Sequence, residues 1–100
     1  MKTDTYHDII NSSPVVLVEF FASWCPHCQK MMPAVARAKE LLAGKAGVYT
    51  FDIDENQALA DANGVKSIPT FLIYNNGETV WRHTGEIDGE ALLSKVESYL

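Results

Sequence analysis

The chain has 100 residues, 47% of them hydrophobic, and a net charge of −5. That length gives one domain with a small core. The acidic balance, without a basic stretch, argues against nucleic acid and anionic membranes as partners. No apolar run approaches the length of a membrane span.

Residues 1–8 are polar and acidic and lack an apolar signal-peptide core, so the expected compartment is the cytoplasm. A mature exported protein given a new start methionine would read identically. Residues 4–11 can form a short helix with Asp4 or Thr3 as N-cap and Tyr6, Ile9 and Ile10 on one face. Asn11-Ser12-Ser13-Pro14 ends it. Residues 15–21 are apolar except for Glu19 and do not alternate, the pattern of a strand covered on both faces. Residues 26–43 carry an apolar stripe, Met31, Val35, Ala38 and Leu42, closed by Gly44. Pro33 interrupts that helix and should bend it. A second strand follows at 47–53, then a short helix capped by Asp54 or Asn56 and ending at Asn63-Gly64. Residues 70–74 and 79–84 flank Asn75-Asn76-Gly77-Glu78, a hairpin signal. Asp88 caps a last helix with Leu92, Leu93, Val96 and Tyr99 or Leu100 facing inward. The order α-β-α-β-α-β-β-α predicts an α/β fold. Its parallel core gains an antiparallel edge from the hairpin, with helices on both faces of the sheet.

Both cysteines lie in Trp24-Cys25-Pro26-His27-Cys28, directly after the first strand. Cys25 stands at the start of the long helix, where unpaired N–H groups and the helix dipole favour an anion such as a thiolate. Pro26 suits the first helical turn, which needs no donor from it. His27, protonated or donating a hydrogen bond, adds a pull on that thiolate. Cys28, one turn in, is less exposed. Cys25 is therefore the attacking thiol and Cys28 the resolving one. Zinc would need further ligands, and there is no second Cys pair. A disulfide closing so short a loop would stabilise little. No metal is expected.

Glu19 is costly in a buried strand, so its pKa should rise. It could then carry the proton of Cys28; the alternative is a carboxylate on a partly wet rim. Ile68-Pro69 is either an ordinary strand start or a cis bond in a tight turn beside the cysteines. His7 and His83 read as surface residues, and Trp81 as packed on the hairpin.

The segments Val18–Cys28, Asp52-Ile53-Asp54, Ile68-Pro69-Thr70 and Asn76-Gly77-Glu78, with Pro33 and Gly85, give nearly the whole chain a resemblance to the thioredoxin family. The resemblance implies a thioredoxin fold in which Pro69 is the cis proline that faces the cysteines and keeps metals off them. It implies that Ile68 pairs with an extended substrate segment, and that Trp24, Ile53, Ile68 and Gly85 form an apolar docking patch. Glu19 takes the buried-acid position. Three departures stand out. Pro26-His27 replaces the usual Gly-Pro and is the pair of the bacterial oxidase DsbA. Thr50 stands where a Lys usually accompanies the buried acid. The N-terminus is short, so the family's first strand is missing or vestigial and four strands are expected, in the order second, first, third, fourth. Short thioredoxins with this Pro-His pair, the desulfothioredoxin type, match best.

The implied activity is protein dithiol–disulfide exchange. It has disulfide-containing proteins as substrates, a thioredoxin reductase-type flavoprotein as recycling partner and no bound cofactor, and the chain acts as a monomer. The Pro-His pair pulls toward oxidation, across a span from roughly −270 mV for thioredoxin to about −120 mV for DsbA. The interval between Cys28 and Pro69 leaves no room for the helical insertion of DsbA, which favours a reductase. The alternatives are an export-compartment oxidase or isomerase and a redox-gated binding module.

Overall fold

A computed structural model describes residues 3–100, with side chains from Thr5 onward. The elements are α1 (Thr3–Ile10), β1 (Val15–Phe21), α2 (Pro26–Leu41), β2 (Gly47–Asp52), α3 (Gln57–Ala62), β3 (Thr70–Asn75), β4 (Glu78–Thr84) and α4 (Gly89–Glu97). The side-chain caps expected at Thr3 or Asp4 lie outside the described residues.

The sheet order is β2-β1-β3-β4. β1 pairs parallel with β2 and antiparallel with β3, which pairs antiparallel with β4. The expected parallel core is therefore reduced to one parallel pair. The reason lies in α3. Its six residues span about 9 Å, whereas a strand of that length covers about 20 Å. The helix cannot carry the chain back along the sheet, so β3 enters at the end where β2 leaves. This brings Ile68-Pro69 beside the loop that follows β1.

Alternation along β1 divides the core. Val15 and Leu17 join Met31, Val35, Ala38 and Leu42 of α2 and Leu92 and Val96 of α4 on one face. Val16, Val18 and Phe20 meet Tyr6 and Ile10 of α1 and Leu59 of α3 on the other. Covering both faces explains why β1 reads as an unbroken apolar run. On the second face the Tyr6 and Tyr74 hydroxyls share a 2.6 Å hydrogen bond, and Tyr74 also donates to Asn63 Oδ1 at 3.3 Å.

The hairpin turns through Asn76 (φ 53°) and Gly77 (φ 83°), the left-handed pair that two-residue hairpin loops require. Asp88 caps α4, its carboxylate accepting from the Ala91 N–H at 3.2 Å. Asn56 stands at the start of α3 but makes no side-chain cap; its Nδ2 donates to the Asp52 carbonyl instead. Pro33 lies inside a continuous α2 on its exposed side, where water can satisfy the carbonyl that loses its donor. Leu92 and Val96 are buried, while Leu100 is exposed. Trp81 packs against the α2/α4 core and stacks on His83, ring centroids 5.8 Å apart.

Candidate active site

The C-terminal ends of β1, β2 and β4 and the start of β3 meet at one end of the sheet. Phe21 accepts from the Ile53 N–H at 2.8 Å, and Pro69 accepts from the Gly85 N–H at 2.8 Å. Cys25 emerges into this convergence as the N-cap of α2, with extended dihedrals (φ −82°, ψ 117°) and Pro26 in the first turn behind it. Its sulfur takes the place an Asp or Ser oxygen usually fills, accepting the Cys28 N–H at 3.3 Å. The same sulfur lies 3.9 Å from the Ile68 carbonyl.

Both cysteines are free thiols. Cys25 is 5% exposed and Cys28 1%, so only the first offers an incoming sulfur a path. Burial pushes the Cys28 thiol up to about 12, helped by its hydrogen-bonded neighbour Cys25 and by the charge of Glu19. Cys28 thus holds its proton until something removes it. Around the pair sit Ala22, Phe21, Ile53 and Ile68. Pro69 is buried at the entrance to β3, its bond to Ile68 in the cis form. Gly85 is half-buried with φ 101°, a left-handed conformation that suits glycine. Trp24 is 63% exposed and donates its indole N–H to Asp54 Oδ2 at 2.8 Å.

Glu19 lies on the α2 face of β1, 4% exposed. Burial alone raises its carboxyl from 4.5 to about 7. It shares a cavity of about 250 Å³ with Cys28; Met32, Val35, Ala36 and Lys39 of α2 and Val48 and Thr50 of β2 complete the lining with Phe21. The carboxylate and the resolving thiol therefore open into one space. Thr50 brings no charge from β2, yet Lys39 of α2 stands in the same lining. Sequence reasoning passed over that lysine, although Cys28, Met32, Val35, Ala36 and Lys39 fall at helical spacing on one face.

His27 departs most from expectation. Among the described residues its ring makes no hydrogen bond with Cys25: Nδ1 pairs with Glu86 Oε2, and Lys30 Nζ stands 4.0 Å from the same oxygen. The His27 contact, followed by the Lys30 charge, holds the Glu86 carboxyl below its ordinary range. Glu86 lies 59 positions from His27, and no local pattern announces the pair. Among the described residues no three His, Cys, Asp or Glu side chains gather into a metal-binding group, and no helix is long and apolar enough to cross a membrane.

A thioredoxin family model matches residues 1–98. Thioredoxin of Bacillus subtilis is 36% identical over 98 residues, covering 98% of this chain and 94% of the relative. Thioredoxin of Synechocystis is 36% identical over 93 residues, covering 93% and 87%. Chloroplastic thioredoxin Y1 of Arabidopsis thaliana is 31% identical over 98 residues, covering 97% of this chain, which spans only 57% of that relative. Among solved structures, a mutant thioredoxin from Halobacterium salinarum superposes with a TM-score of 0.86 at 40% identity, covering 99% of this chain and 86% of the other. Plasmodium falciparum thioredoxin superposes with a TM-score of 0.87 at 28% identity, covering 98% and 94%. A helix-capping thiol, a buried second thiol one turn on and these likenesses agree: the chain belongs to the thioredoxin family and is a thiol–disulfide oxidoreductase.

Proposed function

We propose that the chain reduces disulfides in protein substrates, as a single-domain cytoplasmic monomer of the short desulfothioredoxin type. The observation that carries this reading is the asymmetry of the pair, with Cys25 capping the helix and slightly exposed and Cys28 sealed behind it with its proton retained. The Cys25 thiolate attacks a substrate disulfide seated on Trp24, Ile53, Ile68 and Gly85, beside Pro69. One substrate sulfur bonds to Cys25 and the other leaves as a thiolate, which takes a proton from water. Cys28 then passes its proton to Glu19 and attacks Cys25 Sγ. The mixed disulfide breaks, the second substrate sulfur departs as a thiolate that takes up the proton held by Glu19, and the Cys25–Cys28 disulfide remains. A flavoprotein of the thioredoxin reductase type returns two electrons, and one proton restores the Cys28 thiol beside the Cys25 thiolate. The cycle needs no bound cofactor or metal.

Pro26 and His27 favour the second reading, an oxidase or isomerase. A redox-gated binding module is the third. The test combines Cys28→Ser with reduction of insulin. The reductase reading expects the variant to trap mixed disulfides with many proteins, and the parent chain to reduce insulin with NADPH and a thioredoxin reductase. A potential near that of DsbA without turnover by the reductase would favour the oxidase. One trapped partner without insulin reduction would favour the module.

A further inference from the structure

The contact between His27 and Glu86 joins two residues distant in the chain at the mouth of the redox site. Glu86 is not loosely placed. The neighbouring Gly85 N–H donates to the Pro69 carbonyl at 2.8 Å, and the Glu86 carbonyl lies 3.2 Å from His83 Nε2. His83 is itself stacked on Trp81, the rings 9° from parallel. The segment carrying Glu86 is thus tied to the start of β3 and to β4 before its carboxylate reaches α2.

An ionised carboxylate only accepts hydrogen bonds, so the paired Nδ1 of His27 must be the donor. Among the described residues no hydrogen bond joins His27 to Cys25. A ring held this way spends its Nδ1–H on Glu86, and the carboxylate places a negative charge beside the imidazole. Both effects reduce what His27 can offer a thiolate at Cys25.

We propose that Glu86 is a positioning residue for the redox couple: by engaging Nδ1 of His27 it turns the imidazole away from Cys25 and keeps the couple on the reducing side. This rests on the reading that His27 tunes the couple. In a dithiol–disulfide equilibrium, whatever stabilises the thiolate stabilises the reduced form and makes the protein a stronger oxidant. Releasing His27 frees an N–H donor for Cys25 and removes an opposing charge.

The test is a double-variant cycle on the full chain, Glu86→Gln, His27→Pro and both together, equilibrated in dithiothreitol redox buffers at neutral pH. Glu86→Gln is expected to shift the equilibrium about tenfold toward the dithiol, about 30 mV. In the His27→Pro background the same change should move it less than about twofold, because the group through which Glu86 acts is gone. Nitrogen NMR should show His27 Nδ1 protonated in the parent and released from that fixed state in Glu86→Gln. No shift in Glu86→Gln would overturn the proposal, and so would an equal shift in both backgrounds, which would mark a direct charge effect. If His27→Pro alone leaves the equilibrium unchanged, the reading of His27 fails first and takes the proposal with it.

Discussion

Glu19 and Thr50 are Cα partners across the parallel β1–β2 ladder, and among the described residues no cation stands between them. The carboxyl is nearly sealed and makes no ion pair within 4.0 Å among the described residues. Its raised proton affinity follows from burial. A hydroxyl where a charge could stand leaves Glu19 able to change protonation near neutrality.

Glu19→Gln should therefore alter stability in a pH-dependent way. The native carboxyl titrates at about 7 and the unfolded one at 4.5, so the native state binds the proton more tightly. The stability this brings is full below pH 4.5 and is lost as pH rises through about 7. The variant lacks that loss. At pH 8 it should be the more stable protein, by up to about 3 kcal/mol, with near parity at pH 4. Urea titrations at the two pH values measure it, and a parallel decline of both proteins would dismiss the account. If Glu19 also takes the Cys28 proton, the variant should release trapped substrate more slowly at pH 7.

Lys39 is the cation that shares the cavity with Glu19. Its long stem lets the ammonium stay in water while Glu19 is protonated and fold toward the carboxylate once it ionises. Cys28 is the other titratable group in that lining; Val48 and Thr50 bring no charge from β2. Lys39→Met should raise the Glu19 midpoint, because the ionised carboxylate loses a neighbouring positive charge, and Lys39→Arg should restore it. Carboxyl carbon NMR reads the midpoint directly. Identical titrations in the parent and Lys39→Met would mean that the lysine is only a surface residue.

Much of this was legible in the sequence because the signals are local. An apolar run interrupted only at Glu19 marks a strand covered twice, and Asn76-Gly77 marks the turn. The spacing of Cys25 and Cys28 fixes which thiol caps and which is covered. What escaped was long-range. His27 and Glu86 belong to different elements, and nothing near either names the other. The antiparallel entry of β3 depended on whether a six-residue helix could recross the sheet, a question of length that alternating elements do not answer. Lys39 was within reach, since it repeats the Cys28 face about three turns later. It was passed over because the core stripe through Met31 and Val35 dominates that helix.

Gly77→Ala tests the turn. At φ 83° a β-carbon is strained, and the Asn11 side chain already fills the space it would enter. A loss of roughly 1 kcal/mol or more is expected. The hairpin carries β4 and Gly85, so the cost should be global while the cysteine equilibrium stays unchanged. Denaturant midpoints and redox titration separate the two, and an unaffected midpoint would show that the turn relaxes freely.

Asp54 bears on docking through Trp24. The indole N–H is held by Asp54 Oδ2 at 2.8 Å, and the Asp54 N–H is in turn held by Asp52 Oδ1 at 2.9 Å. An exposed tryptophan fixed by a charged acceptor presents a flat apolar face beside Cys25 at little entropic cost. Asp54→Ala releases the ring. If Trp24 seats protein substrates, KM for a protein disulfide should rise a few-fold, consistent with a loss on the order of 1 kcal/mol. Reduction of a small aromatic disulfide, which needs no such seat, should be unchanged. Tryptophan emission at the site should shift as the indole loses its acceptor. A KM that holds while the emission shifts would separate the fixed ring from substrate docking. A fall in both reactions would instead place Asp54 among the groups that act on the thiols themselves.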